Sequence, residues 1–167
     1  AHEYKLLVSI LGEFSSTEHV SPFTWIALAS PHSVRVFLQA CSDANISINS
    51  LISQNIRFSC VGESTADVLS VDCWSPSVST AKYMKNELPL NSFDTILFPV
   101  SALSSGELYD GLVSRGARVV MLSTYTTKTR RYDLSENKII QSFISTCLID
   151  SDVSNSLLFP VTSPSAA

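Results

Sequence analysis

Thr24-Trp25-Ile26-Ala27-Leu28-Ala29-Ser30-Pro31-His32-Ser33-Val34 decides how the rest of the chain is read. The apolar run over residues 24–29 has the length of a buried strand. Ser30-Pro31 ends it. Proline suits the first helical position, where its missing N–H has no intrahelical partner, and a serine before it suits the N-cap. Val34, Phe37, Leu38 and Cys41 then continue at helical spacing. The stretch reads as strand, turn and helix start, the elementary unit of an α/β sheet.

The same grammar recurs on the C-terminal side. Ile56 to Val61 predicts a strand, Gly62 a turn, and Ser64 or Thr65 the opening of a helix through Leu69. Val71 to Trp74 reads as a weaker strand. Ser77 or Ser79 is the expected cap of a helix bearing Tyr83, Met84 and Leu88. Asp94 to Pro99 predicts a strand, residues 104–115 a helix with Gly116 as its stop, and Ala117 to Leu122 a last strand running into Thr124-Tyr125-Thr126-Thr127. On the N-terminal side, Leu6, Leu7, Ile10, Leu11 and Phe14 mark an amphipathic helix over 3–14, followed by a loop to Pro22. Residues 20–124 thus predict β-α-β-α-β-α-β-α-β. The fold class is α/β, a mostly parallel sheet flanked by helices and flavodoxin- or Rossmann-like. Ligands of such sheets bind beyond the C-terminal ends of the strands. Ser30, the Gly62 to Thr65 turn and Val100-Ser101 fall there.

Residues 125–135 read as a linker carrying Lys128, Arg130 and Arg131. A helix over 136–148 and a strand over 156–161 follow, then Thr162-Ser163-Pro164-Ser165. That ending matches Ala29-Ser30-Pro31-His32 in kind, so an internal duplication at domain scale is expected. The expected division is a helix over 1–14 belonging to or leading into the first unit, an α/β domain over 15–124, a linker over 125–135, and an incomplete second α/β domain over 136–167. An incomplete domain exposes a sheet edge, which calls for a protein partner or a second copy.

Charged residues are only 16% of the chain, so much of the polar surface is serine and threonine hydroxyl. The formal net charge of −4 argues against nucleic acid as an electrostatic partner. Helix starts can still hold carboxylates or phosphates without a formal positive charge. Cys41, Cys60, Cys73 and Cys147 form no CxxC pair, and no histidine stands at metal-ligand spacing, so reduced thiols are expected. No apolar run reaches the ~18–20 residues of a membrane span. The N-terminus has no signal-peptide or transit-peptide character, so such a segment is either not needed or removed. A dinucleotide or Walker-type phosphate site is disfavoured, because GxGxxG is lacking and no Gly-Lys-Ser/Thr follows Gly62.

Several stretches together resemble uroporphyrinogen-III synthase: residues 25–34, Val61-Gly62-Glu63-Ser64-Thr65-Ala66, Leu97-Phe98-Pro99, Gly111 to Val120 running into Thr124-Tyr125-Thr126-Thr127, and Thr162-Ser163-Pro164-Ser165-Ala166. The resemblance runs from about residue 3 to the end. Phe98-Pro99-Val100-Ser101 followed by Tyr-Thr-Thr is most similar to plant and algal enzymes, which implies a plastid stroma. The resemblance implies two similar α/β domains, one inserted in the other, with residues 15–124 as the inserted one. It implies a reaction on hydroxymethylbilane, a polycarboxylate bound between the domains, which loses its hydroxyl, inverts its last pyrrole ring and closes, with no cofactor or metal. It gives Tyr125 the catalytic role at the domain junction, and gives substrate contacts to Ser30, Ser64, Thr65, Ser101 and Ser163.

Each of these residues has a plainer role beside the functional one. Ser30, Ser64 and Thr65 can be helix caps alone, Ser101 a loop serine, Ser163 a terminal residue and Tyr125 a hinge tyrosine. His32 reads as a surface or cap histidine. Two functions stand open: a cyclising synthase, or a non-catalytic synthase-like domain serving as a structural or interaction module.

Overall fold

Four strands alternate with helices in the order α1 (His2–Glu13), β1 (Trp25–Leu28), α2 (Pro31–Asp43), α3 (Ile48–Ser53), β2 (Arg57–Cys60), α4 (Glu63–Leu69), α5 (Ala81–Glu87), β3 (Thr95–Ser101), α6 (Glu107–Ser114) and β4 (Arg118–Tyr125). The structure is a computed structural model and describes residues 2–14 and 20–126. The expected helix over 136–148 and strand over 156–161 lie outside the described residues. All described strand pairs are parallel, in the order β2-β1-β3-β4. The α/β class read from the sequence is therefore the observed one.

Both faces of the sheet are covered, as continuous apolar strands require. Side chains alternate across a strand, so β1 sends Ile26 and Leu28 to one face and Trp25 and Ala27 to the other. The first pair joins Leu7 and Leu11 of α1, Phe37 of α2 and Phe58 of β2. The second joins Met84 of α5, Leu112 of α6, and Ile96 and Phe98 of β3. Under the strand starts, Asp94 is almost fully buried. It accepts hydrogen bonds from Thr24 Oγ1 at 2.7 Å, Asn91 N at 2.7 Å, Arg57 Nη2 at 3.0 Å and Trp25 Nε1 at 3.3 Å. The Arg57 guanidinium also lies 4.1 Å from the Trp25 ring centroid.

The chain builds outward from β1 to β2 and then returns past β1 to lay down β3. The sheet therefore has a switch point between β1 and β3. Pro99 keeps that point open. Thr24 N–H donates to Thr95 O at 2.9 Å, so the odd-numbered backbone groups of β3 face β1. Arg118 N–H donates to Asp94 O at 3.0 Å, so the even-numbered ones face β4. Pro99 faces β1 and has no N–H to give. The β1–β3 pairs stop at Ile26↔Leu97, whereas β3–β4 pairing continues through Pro99↔Leu122.

Local details differ from the sequence reading. The cap of α4 is Gly62, not Ser64 or Thr65. Gly62 has φ +87°, and a Cβ there would lie 2.7 Å from Ser79 Cβ, so only glycine fits without strain. The cap of α5 is Thr80, not Ser77 or Ser79. Ser77 is instead held by Glu87, through its N–H at 2.7 Å and its hydroxyl at 2.6 Å. The strand expected over Val71 to Trp74 shrinks to one parallel bridge, Ser59↔Trp74. Asp72 is a poor strand former, and Pro76 lacks a donor for the ladder. Helix α3 was not anticipated. Finally, β3 and β4 run further than expected, to Ser101 and Tyr125.

Candidate functional site

Ser30 is the N-cap of α2, with extended backbone, as Pro31 at the first helical position predicts. Its Oγ accepts the N–H of Ser33 at 3.1 Å, and Ser33 Oγ accepts the Ser30 N–H at 3.0 Å. This reciprocal capping box fixes the helix start. Ser30 Oγ also lies 3.3 Å from Tyr125 Oη. The two residues are far apart in sequence and two strands apart in the sheet, and the phenol reaches across the end of β3.

A bulge brings it there. Val100 stands opposite Ser123, but Ser101 stands opposite Tyr125, so β4 carries one extra residue at this rung. In plain register Thr124 would face Ser101, and Tyr125 would lie past the end of β3. The extra residue draws Tyr125 back by one rung. Its carbonyl accepts the Ala102 N–H at 2.8 Å, and buried Thr124 donates its hydroxyl to Val100 O at 3.5 Å. The His32 ring sits against the phenol with centroids 4.6 Å apart and planes at 71°, an edge-to-face contact.

Ala29, Ser30, Val100, Ser101, Leu103, Ser104 and Tyr125 line an open pocket of about 320 Å³ at the switch point. None of them is an acid or a formal cation. An anionic group entering the pocket meets hydroxyls and the positive end of the α2 dipole. A larger cavity, about 510 Å³, is lined by Trp25, Arg57, Asp72, Cys73 and Trp74 among others. It lies beside the starts of β1 and β2, away from Ser30 and Tyr125.

The structure thus brings together three of the candidates read from the sequence: Ser30, Ser101 and Tyr125. Ser64 is exposed on the first turn of α4 and does not line the pocket. Thr65 is buried, and its hydroxyl donates to Val61 O at 3.1 Å, bracing the Gly62 turn. Ser163 and the basic residues Lys128, Arg130 and Arg131 lie outside the described residues. Ser104 was not singled out, and His32 had been set aside as a surface or cap residue. No local pattern marks either, because the Ser104 pocket and the His32 contact with Tyr125 exist only once β1, β3 and β4 end side by side.

Cys41, Cys60 and Cys73 are free thiols. Burial pushes Cys41 up to about 12. Burial first, then the neighbouring Cys73 thiol, raises Cys60 as well. Such thiols are poor nucleophiles and metal ligands. Among the described residues, no three His, Cys, Asp or Glu side chains stand close enough to hold a metal ion. No described helix is long and apolar enough to cross a membrane.

The chloroplastic uroporphyrinogen-III synthase of Oryza sativa subsp. japonica is 32% identical over 117 residues, covering 63% of this chain and 36% of the rice protein. The chain therefore spans about a third of the length of that relative. The family model for uroporphyrinogen-III synthase HemD matches residues 11–166, nearly the whole sequence. With a parallel sheet open at its switch point and a match of that extent, the chain belongs to the uroporphyrinogen-III synthase HemD family.

Proposed function

We propose that this chain carries the cyclising activity of its family, closing hydroxymethylbilane to uroporphyrinogen III with inversion of the last pyrrole ring. The observation that carries the reading is the Tyr125 phenol, 3.3 Å from Ser30 Oγ in the switch-point pocket. Tyr125 donates its proton to the departing hydroxyl, which leaves as water. The carbon left behind is a pyrrole-stabilised cation. The last ring attacks it through its substituted α-carbon, and the bond from that carbon to its old bridging methylene breaks to leave a second such cation there. The ring's free α-carbon bonds to it and loses its proton, which the Tyr125 phenolate takes back. Ser30 and Ser101 hold substrate carboxylates by hydrogen bonds, helped by the α2 dipole. Ser64 and Ser163 are further substrate contacts in this proposal, and Thr65 acts by bracing its turn. Hydroxyls suit this work because they bind anions without quenching a cationic intermediate by a fixed opposite charge.

The domain reading belongs to this proposal. Residues 15–124 form the inserted domain, 125–135 the linker and 136–167 part of the second unit. A tetrapyrrole is far larger than a pocket of about 320 Å³, so a second wall faces Ser30 and Tyr125 across the substrate. A protein partner or a second copy, completing the second unit, is part of this proposal. The rice relative is chloroplastic, and the plastid stroma is the location proposed here.

The test is a coupled assay. Fresh hydroxymethylbilane is added to the protein, and the uroporphyrin isomers are separated after oxidation. Isomer III above the no-protein control is expected, falling on the order of 100-fold in Tyr125→Phe. Isomer I alone would overturn the reading and leave a non-catalytic module.

A further inference from the structure

We infer that His32 is a positioning residue for the Tyr125 phenol, an inference that rests on the reading of Tyr125 as the proton donor. The backbone of Tyr125 is fixed by the bulge and by the Ala102 N–H, but neither fixes the ring. The phenol is half-buried and reaches into an open pocket, so its two side-chain torsions need a stop. Ser30 Oγ restrains only the oxygen, at 3.3 Å. The His32 ring supplies the second restraint, edge-to-face at 4.6 Å between centroids. Two contacts at different points on a planar ring set its direction, whereas one leaves it free to swing.

His32 is itself well anchored. It is the second residue of α2, directly after Pro31, whose ring fixes φ, and inside the capping box formed by Ser30 and Ser33. The imidazole is exposed and does not line the pocket, so it does not take part in the chemistry directly. Ser30, Pro31 and His32 thus place a cap, a rigid joint and an aromatic stop in consecutive positions. A ring contact of this type affects equilibria by roughly two- to tenfold, and misplacing a reacting group lowers rate rather than ground-state binding.

The experiment uses the full-length protein with His32→Ala, His32→Phe, Tyr125→Phe and the double variant His32→Ala/Tyr125→Phe, each checked for fold by circular dichroism. For His32→Ala, kcat for isomer III is expected to fall roughly three- to tenfold with KM nearly unchanged. His32→Phe keeps a ring at the same place and restores most of kcat. In the Tyr125→Phe background, His32→Ala has no further effect, as coupled residues require. The NMR ring signals of Tyr125, assigned by their loss in Tyr125→Phe, move when His32 is replaced by alanine. If Tyr125→Phe keeps full activity, the proton-donor reading falls and takes this inference with it. If Tyr125→Phe is impaired but His32→Ala keeps its kcat, raises KM alone, or costs the same in both backgrounds, the inference alone is overturned.

Discussion

Ser30 Oγ accepts the Ser33 N–H at 3.1 Å and lies 3.3 Å from Tyr125 Oη, so the capping atom and the proposed substrate contact are one and the same. The two roles separate by substitution, because aspartate caps a helix as well as serine does. Ser30→Ala is expected to lower stability by about 1 kcal/mol in urea unfolding. Ser30→Asp is expected to stay within about 0.5 kcal/mol of the parent, yet to lose more kcat/KM than Ser30→Ala, because it sets a carboxylate against a polycarboxylate. If both variants fell in step with stability, Ser30 would be a cap and nothing more. The serine was legible in the sequence because Ser-Pro after an apolar run has one natural reading. Its contact with Tyr125 was not legible, because nothing in either residue's neighbourhood says that β1 and β4 end together.

At the scale of elements, periodicity showed most of the strands and helices but missed α3 and over-read Val71 to Trp74, and it misplaced caps where tertiary contacts chose among similar residues. Three hydroxyls lie within Ser77 to Thr80, and packing selected Thr80 because Glu87 had taken Ser77. Pro99 shows the opposite case, a residue whose element was read correctly and whose role was hidden. A proline inside a central strand costs a ladder bond, and here the lost bond faces β1, where the pocket opens. Pro99→Val supplies the N–H and lets β1 and β3 pair beyond Leu97. The expected result is a protein at least as stable in urea, a newly protected amide at position 99 in hydrogen exchange, and isomer III formation lowered on the order of tenfold as the crevice narrows. An unprotected amide with unchanged activity would show that β1 and β3 diverge for another reason.

At the scale of the whole molecule, the ends of the sheet divide the work. The C-terminal ends hold the pocket, and the N-terminal ends are tied by Asp94, which gathers Thr24, Trp25, Arg57 and Asn91. Burial by itself would raise the Asp94 pKa. The Asn91 N–H, the Thr24 hydroxyl, the Arg57 charge and the Trp25 indole outweigh it and hold the carboxyl below its ordinary value. A carboxyl depressed on folding adds stability above its unfolded pKa of about 3.9, and that stability is lost as pH falls through the lower folded value. Asp94→Asn is therefore expected to be less stable by about 2 kcal/mol at about pH 7, with a shallower decline below about pH 4. Urea midpoints measured across that range check both. Glu87 and Glu107 are also held low, by Ser77 and Lys85 respectively, but they are exposed, and surface pairs contribute little. Sequence patterning foresaw the layered sheet, while the Asp94 knot escaped it, because its partners are scattered over residues that meet only on folding.

The other end of β4 carries a feature of a different kind. Among the described strands β4 is an edge, and the outward-facing N–H of Ser123 is taken by the carboxylate of Glu3 in α1. A helix from the start of this sequence thus guards a strand made much later. On the ribosome, α1 is already outside the exit tunnel when β4 emerges. The carboxylate that covers this edge is thus available as soon as the strand forms, which limits its pairing with a neighbouring chain.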